Sequence, residues 1–207
     1  MAAAWGMRRG VALARDFASK RQAFGSLLSE KPLHRDTLAG MQAQLEAAFH
    51  LAWRCVSLTG RLETGEADET EEVLARILTP IAKLTTARQA VALASETLES
   101  FGGAGYVEDT GLPRLLADAQ VLSIWEGTTN VLSLDVLRAL SGESHLAILT
   151  DEIHSRCAEV SDSDLTQCVE IAMSATSWAA QWLRENQSEP THLEAGARRF
   201  ALTLGHA

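Results

Sequence analysis

A single carboxylate, Glu126, follows Ile124 and Trp125 and precedes Gly127, Thr128, Thr129 and Asn130. Apolar neighbours that strip water from it would disfavour its charged form and make it a better base near neutral pH. The competing reading is an exposed acid ahead of a helix, where the helix dipole favours negative charge. Two further stretches hold residue types suited to chemistry. Arg21 and Phe24 lie three apart, so on a helix they share a face. A guanidinium can take a phosphate in a bidentate grip while an aromatic ring covers a base; a surface arginine beside a core phenylalanine is the plain alternative. Gly102, Gly103 and Gly105 follow Glu99 and Phe101. Such a run lets a ligand or another backbone come close, or it serves as a helix C-cap with a tight turn. No strand precedes it, so it is not the dinucleotide fingerprint.

Helices must position all three stretches. Apolar spacing predicts a first helix over residues 3–28 that runs through Arg21 and Phe24, rather than a cleaved leader, although this end carries five basic residues and one acid. Pro32 then breaks the chain and Asp36 caps the next helix. Leu38, Met41, Leu45, Phe49, Ala52, Val56 and Thr59 recur every three or four residues, which is a bundle seam. A polar loop at 64–70 leads to a helix from about residue 71, with a kink or restart expected at Thr79-Pro80. That helix ends at the glycine run. A loop with a short helix follows, then a helix through Val131, Leu134, Leu137 and Leu140, and three more over 143–160, 165–185 and from 190 onward. No strand alternation is visible, so the expected fold class is an all-α bundle.

Composition narrows the function. With 46% hydrophobic and 22% charged residues the chain reads as soluble and globular. Its net charge of −9 disfavours nucleic acid and anionic lipid as partners, and residues 143–207 carry ten acids against four basic groups. No apolar run reaches membrane-spanning length. Three scattered cysteines form no C-x-x-C pair, and the six histidines have no metal-ligand spacing and read as surface or satisfied core groups; no metal site is expected, and a reducing compartment is.

Taken together, Arg21-Gln22-Ala23-Phe24-Gly25, Gly102-Gly103-Ala104-Gly105-Tyr106 and Trp125-Glu126-Gly127-Thr128, in that order and spacing, resemble the C-terminal helical domain of the acyl-CoA dehydrogenase family. The likeness covers residues 5–142 and looks nearest to the alkylation-response and long-chain branch. It implies a four-helix bundle at 1–142 with a helical extension at 143–207. It implies FAD as cofactor and an acyl-CoA as substrate. Glu126 would be the base that removes the α-proton, with Gly127 leaving room for the thioester. Thr128 and Asn130 would contact flavin. Arg21 and Phe24 would hold the FAD pyrophosphate and adenine, and Glu99, Gly102 and Gly103 would meet the FAD of a neighbouring subunit in a homodimer or homotetramer. The compartment implied is mitochondrial or peroxisomal in a eukaryote and cytoplasmic otherwise.

Two residues depart from the family pattern: Glu99 stands where Gln is common, and Pro32 where many members place Gln. The family's N-terminal and middle domains are not in this sequence, so the expectation is a piece or splice form of a longer enzyme, incomplete as a catalyst alone. A non-catalytic helical oligomerisation or interaction module is the alternative. Nucleic-acid binding ranks third.

Overall fold

The computed structural model describes residues 1–142 and 144–207; Glu143, where the extension is expected to begin, lies outside the described residues. Residue contacts divide the chain into two compact units: residues 1–54 with 86–126, and residues 55–85 with 127–207. The fold is all-α apart from one two-stranded hairpin among the described residues.

In the first unit, α1 (Ala2–Ala18) buries Ala3, Met7, Gly10, Val11, Ala14 and Ala18, a stripe at helical spacing. The small residues let the helix lie very close to its neighbour: a Cβ on Gly10 would sit 2.6 Å from the Thr97 hydroxyl oxygen. The core adds Met41, Leu45 and Ala48 from α2 (Pro32–Thr64), Leu93 and Ala94 from α3 (Glu69–Ser100), and Ala119 from α5 (Pro113–Leu122).

The first helix is shorter than its apolar spacing predicts. It stops at Ala18, and residues 22–27 form a hairpin of β1 (Gln22–Ala23) and β2 (Ser26–Leu27), with Ala23 opposite Ser26. Phe24 and Gly25 are the two loop residues, at φ 51° and 84°. Positive φ at both positions suits the twist of a two-residue hairpin and cannot continue a right-handed helix. Arg21 and Phe24 therefore do not share a helix face. Pro32 opens α2 rather than ending anything, since a first helical position asks nothing of the missing N–H, and Asp36 lies inside that helix.

The helix α3 begins at Glu69, two residues ahead of expectation. Asp68 accepts from the Glu71 amide at 2.8 Å, and the Glu71 carboxylate accepts from the Asp68 amide at 3.3 Å, a reciprocal capping box. The Glu71 carboxylate also accepts the Arg61 Nε–H on both oxygens, at 2.8 and 2.9 Å, which fastens the α2–α3 turn. No restart occurs at Pro80. The helix is one element from Glu69 to Ser100, and the Thr79 hydroxyl donates back to the Ala75 carbonyl at 2.7 Å instead of capping a new helix.

The second unit packs α9 (Pro190–His206) against α6 (Thr129–Ala139) and α8 (Thr166–Asn186), and α8 against α7 (His145–Ala158). Phe200 is fully buried with its ring 4.9 Å from that of Trp182. Arg76 of α3 grips Asp135 of α6 in a fork at 3.0 and 2.8 Å. No helix among the described residues is long and apolar enough to cross a membrane.

Candidate functional site

Phe24 is held outward by its backbone. Its carbonyl accepts from Lys31 Nζ at 2.9 Å, the Arg21 carbonyl accepts from the Leu28 amide at 2.9 Å, and the Glu30 carboxylate accepts from the Leu27 amide at 3.2 Å. These bonds fix a turn whose aromatic ring is 98% exposed. The core-phenylalanine alternative is thereby excluded. Beneath the turn, Phe17 at the end of α1 meets Phe101 just past α3, ring centroids 4.4 Å apart.

That contact sets the hairpin beside the end of α3. There Gly102 (φ 59°) reverses the chain into the one-turn helix α4 (Gly103–Tyr106). Gly105 is buried because backbone approaches it: a Cβ there would lie 2.0 Å from the Leu98 carbonyl oxygen. Cβ atoms built on Gly102 and Gly103, by contrast, meet nothing within 4 Å. The glycine run thus does two jobs, closing the turn with its third glycine and leaving open surface at its first two.

An open groove of about 760 Å³ results, lined by Arg21, Phe24, Lys31, His34, Glu96, Glu99, Gly102 and Gly103 among others. It brings together five of the residues singled out from sequence: Arg21, Phe24, Glu99, Gly102 and Gly103. The resemblance assigned the first two and the last three to separate roles, whereas the fold gives them one shared surface. Its charge is segregated by element. The hairpin and the start of α2 contribute Arg21, Lys31 and His34, and the end of α3 contributes Glu96 and Glu99.

Lys31, His34 and Glu96 were not singled out from sequence. Lys31 had a signal, a cation directly after a turn and before the proline that opens α2. His34 had none, and it corrects the reading of the histidines as surface or satisfied groups: its Nε2 is buried and has no hydrogen-bond partner among the described residues.

Glu126 does not line this groove. It sits between α5 and α6. The Ile124 and Trp125 amides both donate to the Val121 carbonyl, at 3.0 and 3.1 Å, as α5 unwinds. Glu126 (φ 57°) and Gly127 (φ 110°) then turn the chain into α6, with Thr128 as its N-cap residue. Glu126, Thr128 and Asn130 are all exposed. The desolvation expected from Ile124 and Trp125 is not provided by this chain, because those side chains are themselves 61% and 53% exposed. Phe24 and Glu126 are the two non-glycine residues at positive φ among those described. Strain of this kind persists where the surrounding structure imposes it, and it gathers at functional positions.

A family model described as "Acyl-CoA dehydrogenase, C-terminal domain" matches residues 1–141. Acyl-CoA dehydrogenase family member 11 of Caenorhabditis elegans is 40% identical over 212 residues, covering 96% of this chain and 33% of that protein. AidB of Escherichia coli is 38% identical over 146 residues, covering 70% of this chain and 26% of its own length. The crystal structure of C. elegans ACDH-11 in complex with C11-CoA matches 99% of this chain and 36% of its own, with a TM-score of 0.91 and 39% identity. The Bd2924 apo-form matches 99% of this chain and 38% of its own, at 0.85 and 42%. The chain spans between 26% and 38% of the length of these relatives.

Proposed function

The chain belongs to the acyl-CoA dehydrogenase family, and from that premise we propose that it is the helical portion of an FAD-dependent enzyme that dehydrogenates an acyl-CoA thioester between its α- and β-carbons. One observation carries the reading: the two strained non-glycine residues, Phe24 and Glu126, are those the family pattern matches to adenine contact and to the base.

The groove fits the adenosine diphosphate end of FAD. An exposed ring suits a stacked base, Arg21 and Lys31 suit phosphate oxygens, and the open surface at Gly102 and Gly103 admits a ligand against the backbone. Glu99, on the acidic wall, would accept from ribose hydroxyls. FAD held by Arg21, Phe24, Lys31, Gly102 and Gly103 would supply the acceptor for the hydride that leaves the β-carbon. The Glu126 carboxylate takes the α-proton; the C–H electrons left at the α-carbon form the new double bond as the hydride departs. Gly127 keeps the approach to that carboxylate clear, and Thr128 and Asn130 flank it at the start of α6.

A base that abstracts so weakly acidic a proton works in a water-poor site. The exposed face of Ile124 and Trp125 is the natural surface for bound substrate, flavin and a second subunit to cover, in a homodimer or homotetramer. The C11-CoA complex of ACDH-11 supports an acyl-CoA as the occupant. The exposure of Glu126 also favours a second reading, a helical interaction module without turnover.

Flavin colour separates the two. The proposal expects the purified chain to take up FAD and, in the longer enzyme of which it is proposed to be the helical portion, an acyl-CoA to bleach the visible flavin band. Glu126→Gln should keep the flavin and slow bleaching by about 10²- to 10⁴-fold, the usual worth of a positioned general base. Bleaching at an unchanged rate in Glu126→Gln would sink the assignment of the base. A chain that stays colourless with added FAD would leave the module reading in its place.

A further inference from the structure

His34 lines the groove, and the proposed function leaves its chemistry unused. A histidine buried for packing alone normally pairs its ring nitrogens; here Nε2 is enclosed and has no partner among the described residues. His34 lines the groove together with Arg21 and Lys31, all from residues 21–34, and the acids Glu96 and Glu99 come from the end of α3. Two cations beside an imidazole disfavour a metal ion and favour an anion. The ring is hinged at Cβ–Cγ, so rotation exchanges which edge meets the groove. The Lys31 ammonium spends one donor on the Phe24 carbonyl and keeps two more.

We propose that His34 is a phosphate-binding residue of the groove: its imidazole N–H donates to a phosphate oxygen of a bound adenosine diphosphate moiety, alongside Lys31 and Arg21. The inference rests on the reading of the groove as a cofactor site. It adds that selection for a diphosphate-bearing nucleoside resides in the first turn of α2, where the imidazole nitrogen left without a partner in the free chain gains one on binding. Phe24 recognises the base, and His34 the phosphates.

Calorimetric titration with ADP, adenosine and FAD tests this on the whole chain. His34→Ala should weaken ADP about tenfold, the scale of one hydrogen bond to a charged group, and leave adenosine unchanged. His34→Gln, which keeps a donor and most of the volume, should recover part of the ADP affinity and serves as the deciding variant where His34→Ala does not fold. Unchanged ADP affinity in these variants would overturn the role, as would an equal fall for adenosine, which would mark a purely structural effect. A wild-type chain that takes up FAD and ADP while His34→Ala does so equally well removes only the His34 assignment. A wild-type chain that binds neither FAD nor ADP removes the cofactor reading and this inference with it.

Discussion

Replacing Glu126 by glycine should stabilise the protein while removing its proposed base. Glu126 holds φ 57° and makes no hydrogen bond or ion pair with the described residues. Its side chain is exposed, so truncation forfeits little packing. An L-residue in the left-handed region costs roughly 1–2 kcal/mol. Glycine avoids that cost but gives back about 0.4–1 kcal/mol through the added freedom of the unfolded chain. The balance is a net gain of up to about 1.6 kcal/mol, centred near about 0.8, which is a rise of about 2–3 °C in Tm for a chain of this size. Glu126→Gln keeps the same backbone requirement and should melt with the wild type. Differential scanning calorimetry, checked by urea unfolding, reads both variants. If Glu126→Gly melts at or below the wild type while Glu126→Gln is unchanged, the backbone at this position is not strained, and the argument from strain to function fails.

Three further outcomes follow. Phe24→Ala should leave Tm unchanged, because the ring is 98% exposed, yet weaken adenosine binding by about tenfold, since stacking on a base is worth roughly 1–3 kcal/mol; equal affinity by titration would contradict the stacking role. The hydrogen bond from Arg76 holds the Asp135 carboxyl below the ordinary carboxylate range, against a smaller opposing effect of burial. Its stabilisation is therefore present above the ordinary range and lost as pH falls through the depressed value. Urea unfolding of Asp135→Asn should show a deficit at pH about 7, under about 1 kcal/mol because the pair is partly exposed, that closes on acidification. Gly196→Ala would place a Cβ 2.2 Å from the Trp182 ring and should cost about 1–3 kcal/mol by overpacking α8 on α9, read as a lower urea midpoint.

Helical periodicity was enough to recover most of the architecture, because burial along α1 and α2 repeats every three or four residues, α3 is buried on most faces between residues 74 and 87, and the breaks fall at polar loops or glycines. It failed where local geometry is imposed from elsewhere. Val11, Leu13, Phe17 and Phe24 continue a helical rhythm across residues 19–21, and nothing in that rhythm announces that the chain reverses at Phe24. The reversal depends on the Phe17–Phe101 contact and on Lys31 reaching the Phe24 carbonyl, both set by residues outside the window that periodicity reads. Thr79-Pro80 misled in the opposite sense: the pair suits a helix start, but residues on both sides are core, and burial of Ile77, Leu78, Ile81 and Leu84 keeps α3 whole. The motif residues were legible as types in a fixed order. Their exposure was not, since apolar neighbours in sequence imply a dry carboxylate only if they pack over it, and Ile124 and Trp125 face out.

The hairpin and the α5–α6 turn use one device. In each, a residue with a functional side chain adopts positive φ and is followed by a glycine that does the same: Phe24 with Gly25, Glu126 with Gly127. An ordinary tight turn would place glycine, asparagine or aspartate at the first position and avoid the cost. Here a ring and a long acid occupy it, and both stand clear of the chain. Neither side chain contributes packing that would offset the strain in the free protein. On the proposed function each side chain would gain its contacts on binding, a base at Phe24 and an acyl α-carbon at Glu126. On that proposal the two turns serve one function, although Glu126 does not line the groove that holds Phe24.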